Sequence, residues 1–124
     1  MPHPLSIGAA MKPLLILILC LISSACAFDS DRRKKEYLKS GNDYFDRAQY
    51  DEALKMYVKA IKTDRMYCEA YYRVGTTAMK LQRWEEAGSH LQRAIELQPG
   101  NQDGYSKLAD LYLFAYAGAD EKLR

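Results

Sequence analysis

The sequence is poor in the residues that most chemistry needs. Histidine occurs only at 3 and 90. The three cysteines, Cys20, Cys26 and Cys68, form no CxxC pair and no Cys/His cluster with metal-ligand spacing. Neither a disulfide framework nor a metal site is therefore expected. There is no glycine-rich phosphate loop and no nucleophile elbow. His90 has Glu86 four residues before it, but on a helix that pair reads as solvated surface neighbours. No catalytic residue and no cofactor is expected. Proline stands only at 2, 4, 13 and 99, and the only glycines between 13 and 99 are Gly41, Gly75 and Gly88. Nothing in that interval breaks a helix, and the glycines only weaken one. An excess of one charge sign is missing too. Eighteen basic against sixteen acidic residues leave a net charge of +2, which argues against a dedicated nucleic-acid binder.

What is present begins with an apolar run. Residues 14–22 read LLILILCLI, with Lys12 before them and Ser23, Ser24 and Ala25 after. A positive start, a short apolar core and small residues are the parts of an export signal. Residues 1–27 are assigned to this leader, and Met11-Lys12 is a more natural start for it than Met1. Two cuts compete. Ala25-Cys26-Ala27 fits an A-x-A site with release before Phe28. Ile22-Ser23-Ser24-Ala25-Cys26 resembles a bacterial lipobox, with cleavage before Cys26 and lipid on its sulfur, although Ser23 stands where a leucine is usual. An uncleaved anchor is the third reading. The stretch from Pro13 to Phe28 is short against the ~20 residues of a spanning helix. The run Arg32-Arg33-Lys34-Lys35 places more positive charge after the apolar segment than before it, which opposes export. That run lies at the end of a charged spacer, 28–34, and reads as a solvated helix start or as a contact for anionic headgroups.

The body repeats itself. Residues 35–64 shifted by 34 match residues 69–98 at six of thirty positions. The matches fall on small and aromatic residues: Tyr37 on Tyr71, Gly41 on Gly75, Ala53 on Ala87, and Ala60-Ile61 on Ala94-Ile95. A further shift brings Tyr105, Ala109 and Tyr112 into register. A period of 34 implies stacked supersecondary units. In the first unit Tyr37, Gly41, Tyr44, Phe45 and Ala48 mark one helical face. Ala53, Met56, Tyr57, Ala60 and Ile61 mark another, behind the acids Asp51-Glu52 that suit a helix N-terminus. A glycine recurring mid-helix implies that another backbone comes close. Gln98-Pro99-Gly100-Asn101 ends the second unit.

These residues resemble the tetratricopeptide repeat. The family pattern stands as Tyr37-Ser40-Gly41-Tyr44 with Ala53-Tyr57-Ala60, then Tyr71-Val74-Gly75-Ala78 with Ala87-Leu91-Ala94 and Pro99, then Tyr105-Leu108-Ala109-Tyr112. The resemblance implies an all-α helix-turn-helix solenoid of two full repeats, 35–66 and 67–101, and a partial third, 102–124. With its leader, the layout also resembles short bacterial lipoproteins and exported proteins built on such repeats. That implies a site on the periplasmic side of the cell envelope, lipid-anchored through Cys26 or soluble after the alternative cut.

In that family the first helices of successive repeats line a groove. Matching positions implies a lining of Lys35, Leu38, Asn42, Phe45 and Asp46 from the first repeat. The second repeat adds Glu69, Tyr72, Arg73, Thr76, Met79 and Lys80, and the third adds Ser106, Lys107, Asp110 and Phe114. Some members hold a peptide carboxylate with a lysine/asparagine clamp. Asn42 and Lys107 stand at clamp-like positions, but Leu38, Arg73 and Asp103 depart from it, so chaperone-tail binding is not expected. Aromatics mixed with both charge signs suit a peptide or a partner helix. The expected function is therefore non-catalytic protein binding in an envelope assembly, such as a secretion, exopolysaccharide or pilus system. The third repeat offers a rival. Leu108, Leu111, Tyr112, Leu113, Phe114 and Tyr116 surround its helix too widely for one buried stripe. Either further repeats cover it, or it meets a partner or another copy of the chain.

Overall fold

The structure, a computed structural model, describes the backbone of residues 5–123 and the side chains of residues 11–123. Five helices follow one another: α1 (Leu5–Asp46), α2 (Tyr50–Thr63), α3 (Cys68–Lys80), α4 (Trp84–Leu97) and α5 (Gln102–Leu123). The chain divides into two compact units, Met1–Arg32 and Arg33–Arg124.

The first unit is the apolar part of α1. Its side chains are exposed from Met11 to Asp29. An 18-residue window here has a mean hydropathy of 2.1 with none of it buried. This helix is long and apolar enough to cross a membrane, a property that signal sequences share. The helix continues past both ends of the Pro13–Phe28 stretch, into Lys12 on one side and the charged residues from Asp29 on the other. The hydroxyls of Ser23 and Ser24 donate to the carbonyls of Leu19 and Cys20, each at 3.0 Å. Such bonds satisfy a hydroxyl inside its own helix, which an apolar surrounding requires. The Cys26 thiol is exposed. The run Arg32–Lys35 was expected to start a helix, but α1 already includes it. The physical reason is plain: no proline or glycine lies between Pro13 and Gly41 to stop the helix.

The second unit is the expected all-α solenoid. Its boundaries repeat as its sequence does. α1 ends at 46 and α3 at 80; α2 starts at 50 and α4 at 84; α3 starts at 68 and α5 at 102. Each pair differs by the same 34 residues. The first turns of α2 and α4 carry Asp51-Glu52 and Glu85-Glu86. No side chain caps these ends, so the acids offset the exposed N–H groups electrostatically. α5 differs: Asn101 Oδ1 accepts from the Gly104 N–H at 3.1 Å, an ordinary side-chain cap.

The left-handed closure of the turns inside the repeats was not foreseen. Ala48 and Gln82, again 34 apart, both have φ of 58°. The N–H of Gln49 reaches back to Tyr44 O, and that of Ala48 to Phe45 O, both at 2.9 Å. Arg83 and Gln82 repeat these bonds to Ala78 O and Met79 O at 2.9 and 3.0 Å. This is the Schellman closure, with a non-glycine residue at its left-handed position. Ala48, expected on the apolar face of the first helix, is instead an exposed turn residue.

Small residues let the helices approach. One core cluster gathers Leu38, Ala53, Leu54, Tyr57, Ala60, Ala70 and Val74; another gathers Ala78, Ala87 and Leu111. Tyr57 and Leu91 are wholly buried, each worth about 2–3 kcal/mol of hydrophobic free energy. A Cβ on Gly41 would lie 2.6 Å from Tyr57 Cδ1 and closer still to Cε1. One on Gly75 would lie 2.6 Å from Leu91 Cγ. Both distances are far inside van der Waals contact, so what each glycine admits is a large side chain of the second helix, where a close backbone was expected. Beside the first repeat, Lys34 Nζ on α1 donates to Asp64 Oδ2, just past α2, at 2.6 Å, with both side chains largely covered.

Candidate binding groove

The first helices of the repeats do bring their predicted residues together. A hollow of about 440 Å³ is lined by Phe45 of α1, by Tyr72, Arg73, Thr76, Met79 and Lys80 of α3, and by Lys107, Asp110 and Phe114 of α5. All nine stood in the expected lining. Trp84, from the start of α4, completes the wall. The lining expected from the sequence did not include it. Its register with Tyr50 was the available signal, because a large ring at the first position of a second helix lies beside the end of the preceding first helix.

The rings order the hollow. Phe45 meets Tyr50 edge-on, with centroids 5.2 Å apart and planes at 66°. Trp84 and Phe114 lie nearly parallel, 14° apart in angle and 6.4 Å between centroids. Three cations and one anion accompany them. Lys107 Nζ reaches Asp110 Oδ2 at 3.4 Å, and Arg73 Nη2 reaches Glu69 Oε1 at 3.7 Å. The Arg73 carbonyl accepts from the hydroxyls of Thr76 and Thr77 at 3.1 and 2.7 Å, which holds this turn of α3 closed. Arg73 Nε is buried and has no acceptor among the described residues. Lys80 is exposed, and its ammonium has no ion-pair or hydrogen-bond partner among the described residues.

The other six predicted residues lie elsewhere. Leu38, expected in the groove, is 8% exposed and belongs to the core. Asn42 accepts a 2.8 Å hydrogen bond at Oδ1 from the Tyr57 hydroxyl, so half of its amide is engaged in packing. Burial pushes the Tyr57 phenol up to about 12, against a weaker opposing pull from the Arg73 charge. Glu69 lines an adjoining hollow of about 280 Å³ with Tyr72, Arg73 and Asp103. Lys35, Asp46 and Ser106 are exposed outside the main hollow.

His90 does not pair with the Glu86 carboxylate. Its Nδ1 donates to the Glu86 backbone carbonyl at 2.9 Å, and its ring lies along Tyr71 with centroids 6.2 Å apart. The Cys68 thiol donates to Ala94 O at 3.2 Å, consistent with a packing role. Among the described residues no group of three or more His, Cys, Asp and Glu is placed to hold a metal ion.

Comparison with known proteins agrees with the geometry. A profile described as TPR repeat matches residues 41–82, and one described as Tetratricopeptide repeat matches residues 68–101. Among curated proteins, the chain is similar to the human Superkiller complex protein 3, 31% identical over 83 residues. It is also similar to the Protein SGT1 homolog of Dictyostelium discoideum, 42% identical over 62 residues. The matches cover 67% and 50% of this chain but only 5% and 16% of those proteins. Among solved structures, the yeast Sti1 TPR2B domain in complex with an Hsp70 peptide superposes with a TM-score of 0.67 at 26% identity, covering 74% of this chain and 75% of that one. The second TPR domain of human RPAP3, in complex with an HSP70 peptide, gives 0.63 at 26%, with coverage of 64% and 67%. MamA gives 0.62 at 30%, with coverage of 69% and 51%. The 34-residue period, the repeated helix boundaries and these matches place the chain, through residues 41–101, in the tetratricopeptide repeat family.

Proposed function

We propose that the second unit is a non-catalytic binding module that takes a segment of a partner protein in the hollow between α1, α3 and α5. The observation that carries this reading is the convergence of nine register-matched residues from three helices on one 440 Å³ hollow. Aromatic walls with charges of both signs are what a peptide or helix anchor needs. The solved neighbours that hold Hsp70 peptides show that similar repeats have this use. A photo-crosslinking residue at Thr76, inside the hollow, should capture a protein partner in cells. The same residue at Ser89 on α4 should not. Equal capture at both sites would refute the groove as the binding face.

The leader supports placement in a bacterial envelope, on the periplasmic side, with lipid on Cys26. The exposed apolar helix and the small residues before Cys26 are the grounds. Intact mass from membrane and soluble fractions separates the readings. A chain beginning at lipidated Cys26, one beginning at Phe28 and an uncleaved chain have three different masses. Cys26→Ser should abolish the first alone. Work within a secretion, exopolysaccharide or pilus assembly follows from that placement.

A second reading draws on α5. Tyr112, Leu113, Phe114 and Tyr116 are 58%, 70%, 61% and 77% exposed. A face this apolar supports an assembly subunit that self-associates through it. Light scattering should then show oligomers that Tyr116→Ser dissociates; a monomer at all concentrations would sink this alternative.

A further inference from the structure

We propose that the hollow beside Trp84 is an anchor pocket for one large apolar side chain of the partner segment, flanked by an acidic side chain that meets Lys80. The inference rests on the groove being the binding face. The rings of Phe45, Tyr72, Trp84 and Phe114, with Met79, supply an apolar wall around the hollow. Trp84 and Phe114 remain 37% and 61% exposed. A ligand that covers them removes apolar surface from water, and a tryptophan in the wall of a concave site is a usual place for binding energy to concentrate.

The charges define the flank. Of the three cations at the hollow, Lys107 is matched by Asp110 and Arg73 by Glu69. Lys80 is left unmatched among the described residues. The remaining complementarity is for one acidic group next to the apolar anchor. A single ammonium is a point contact rather than a fork of converging donors, so an internal Asp or Glu serves as well as a chain-terminal carboxylate.

The test uses the full chain in detergent micelles and phage-displayed random nonapeptides fused through their C-termini, which offer no free carboxylate. Enriched sequences should carry one Phe, Trp, Tyr, Met or Leu with Asp or Glu within about two residues. An amidated synthetic copy should shift the emission of Trp84, the single tryptophan. Phe114→Ala should weaken its binding about thirty-fold, and because Phe114 is well exposed that variant should melt as the parent does. Trp84→Ala, read by anisotropy of a dye-labelled copy, should weaken it similarly, and Lys80→Glu should reverse the acidic preference. No enrichment over empty micelles, enrichment without an apolar residue, or binding unchanged by Phe114→Ala would each overturn the proposal. Thr76→Arg separates the two levels. If it leaves peptide binding intact, the groove reading itself fails. If it abolishes binding while Phe114→Ala and Trp84→Ala do not, the groove stands and the anchor is wrong.

Discussion

Gly41→Ala adds one methyl group to the middle of a helix, where alanine is ordinarily the better residue by ~1 kcal/mol. Here the sign should invert. The new Cβ would fall 2.6 Å from Tyr57 Cδ1 and 2.9 Å from Cζ, about 1 Å inside normal carbon contact. The ring cannot swing away freely, because Tyr57 is wholly buried and its hydroxyl is held by Asn42 at 2.8 Å, one residue along from the glycine. Overpacking of this kind costs about 1–3 kcal/mol, and loss of the Asn42 bond would add ~1 kcal/mol. Net of the propensity gain, Gly41→Ala should destabilise the repeat unit by about 1–3 kcal/mol. Gly118→Ala is the internal control: nothing lies within 4 Å of its Cβ, and the site is also inside a helix. It should stabilise by up to ~1 kcal/mol. Urea unfolding of the full chain, followed by Trp84 emission and far-ultraviolet dichroism, measures both. With a slope of about 1 kcal/mol per molar urea, the Gly41→Ala midpoint should fall by about 1–3 M. Tyr57→Ala should relieve the clash, so the double variant should be more stable than the sum of the two single effects predicts. If Gly41→Ala raises the midpoint as Gly118→Ala does, the close approach of α2 to α1 is wrong.

Other substitutions probe different parts of the same fold. Ala48→Gly and Gln82→Gly, at the left-handed positions of the two equivalent turns, should each stabilise by about 0.5–1 kcal/mol in the same urea assay. Tyr57 links stability to alkaline pH. Its folded value of about 12 lies above the ordinary 10, so the neutral phenol is favoured in the folded state. The corresponding stability is complete below pH ~10 and falls by up to about 3 kcal/mol as pH rises to ~12. Tyr57→Phe should flatten that fall and cost ~1 kcal/mol at neutral pH through the lost bond to Asn42. Lys34→Ala removes a half-buried ion pair with Asp64 and a cation seated 4.8 Å from the Tyr67 ring centroid. It should cost about 1–2 kcal/mol by thermal unfolding, whereas breaking the exposed Arg83–Asp51 pair should cost under ~1 kcal/mol.

How far the sequence disclosed these features follows from which constraints act locally. The helix count, the period and the second-helix cores were legible because a small residue must recur wherever a large one inserts. Gly41 with Tyr57 and Gly75 with Leu91 are the same packing unit written twice. The Schellman turns were not legible, because Ala48 and Gln82 occupy positions that glycine would normally announce. The long helix α1 was read as leader, spacer and repeat from its changes in composition. Helix propensity responds to no such change, and nothing in the spacer interrupts it.

Register predicts a face, but side-chain length and the presence of a neighbour decide what that face does. Leu38 and Tyr72 are 34 residues apart and equivalent in register. The shorter, wholly apolar leucine is absorbed into the core with Ala70 and Val74, while the tyrosine extends far enough to wall the hollow. The series Phe45, Met79, Leu113 shows the second condition. Phe45 and Met79 each face a hollow closed by the next first helix, α3 or α5. Leu113, on the last described helix, faces no such neighbour among the described residues and is 70% exposed. Phe114, one residue on, turns back to stack on Trp84 instead. Phe114 shares its register with Asp46 and Lys80, so the period named its place in the lining; Trp84 opens a second helix, α4, and so lay outside a lining drawn from first helices alone.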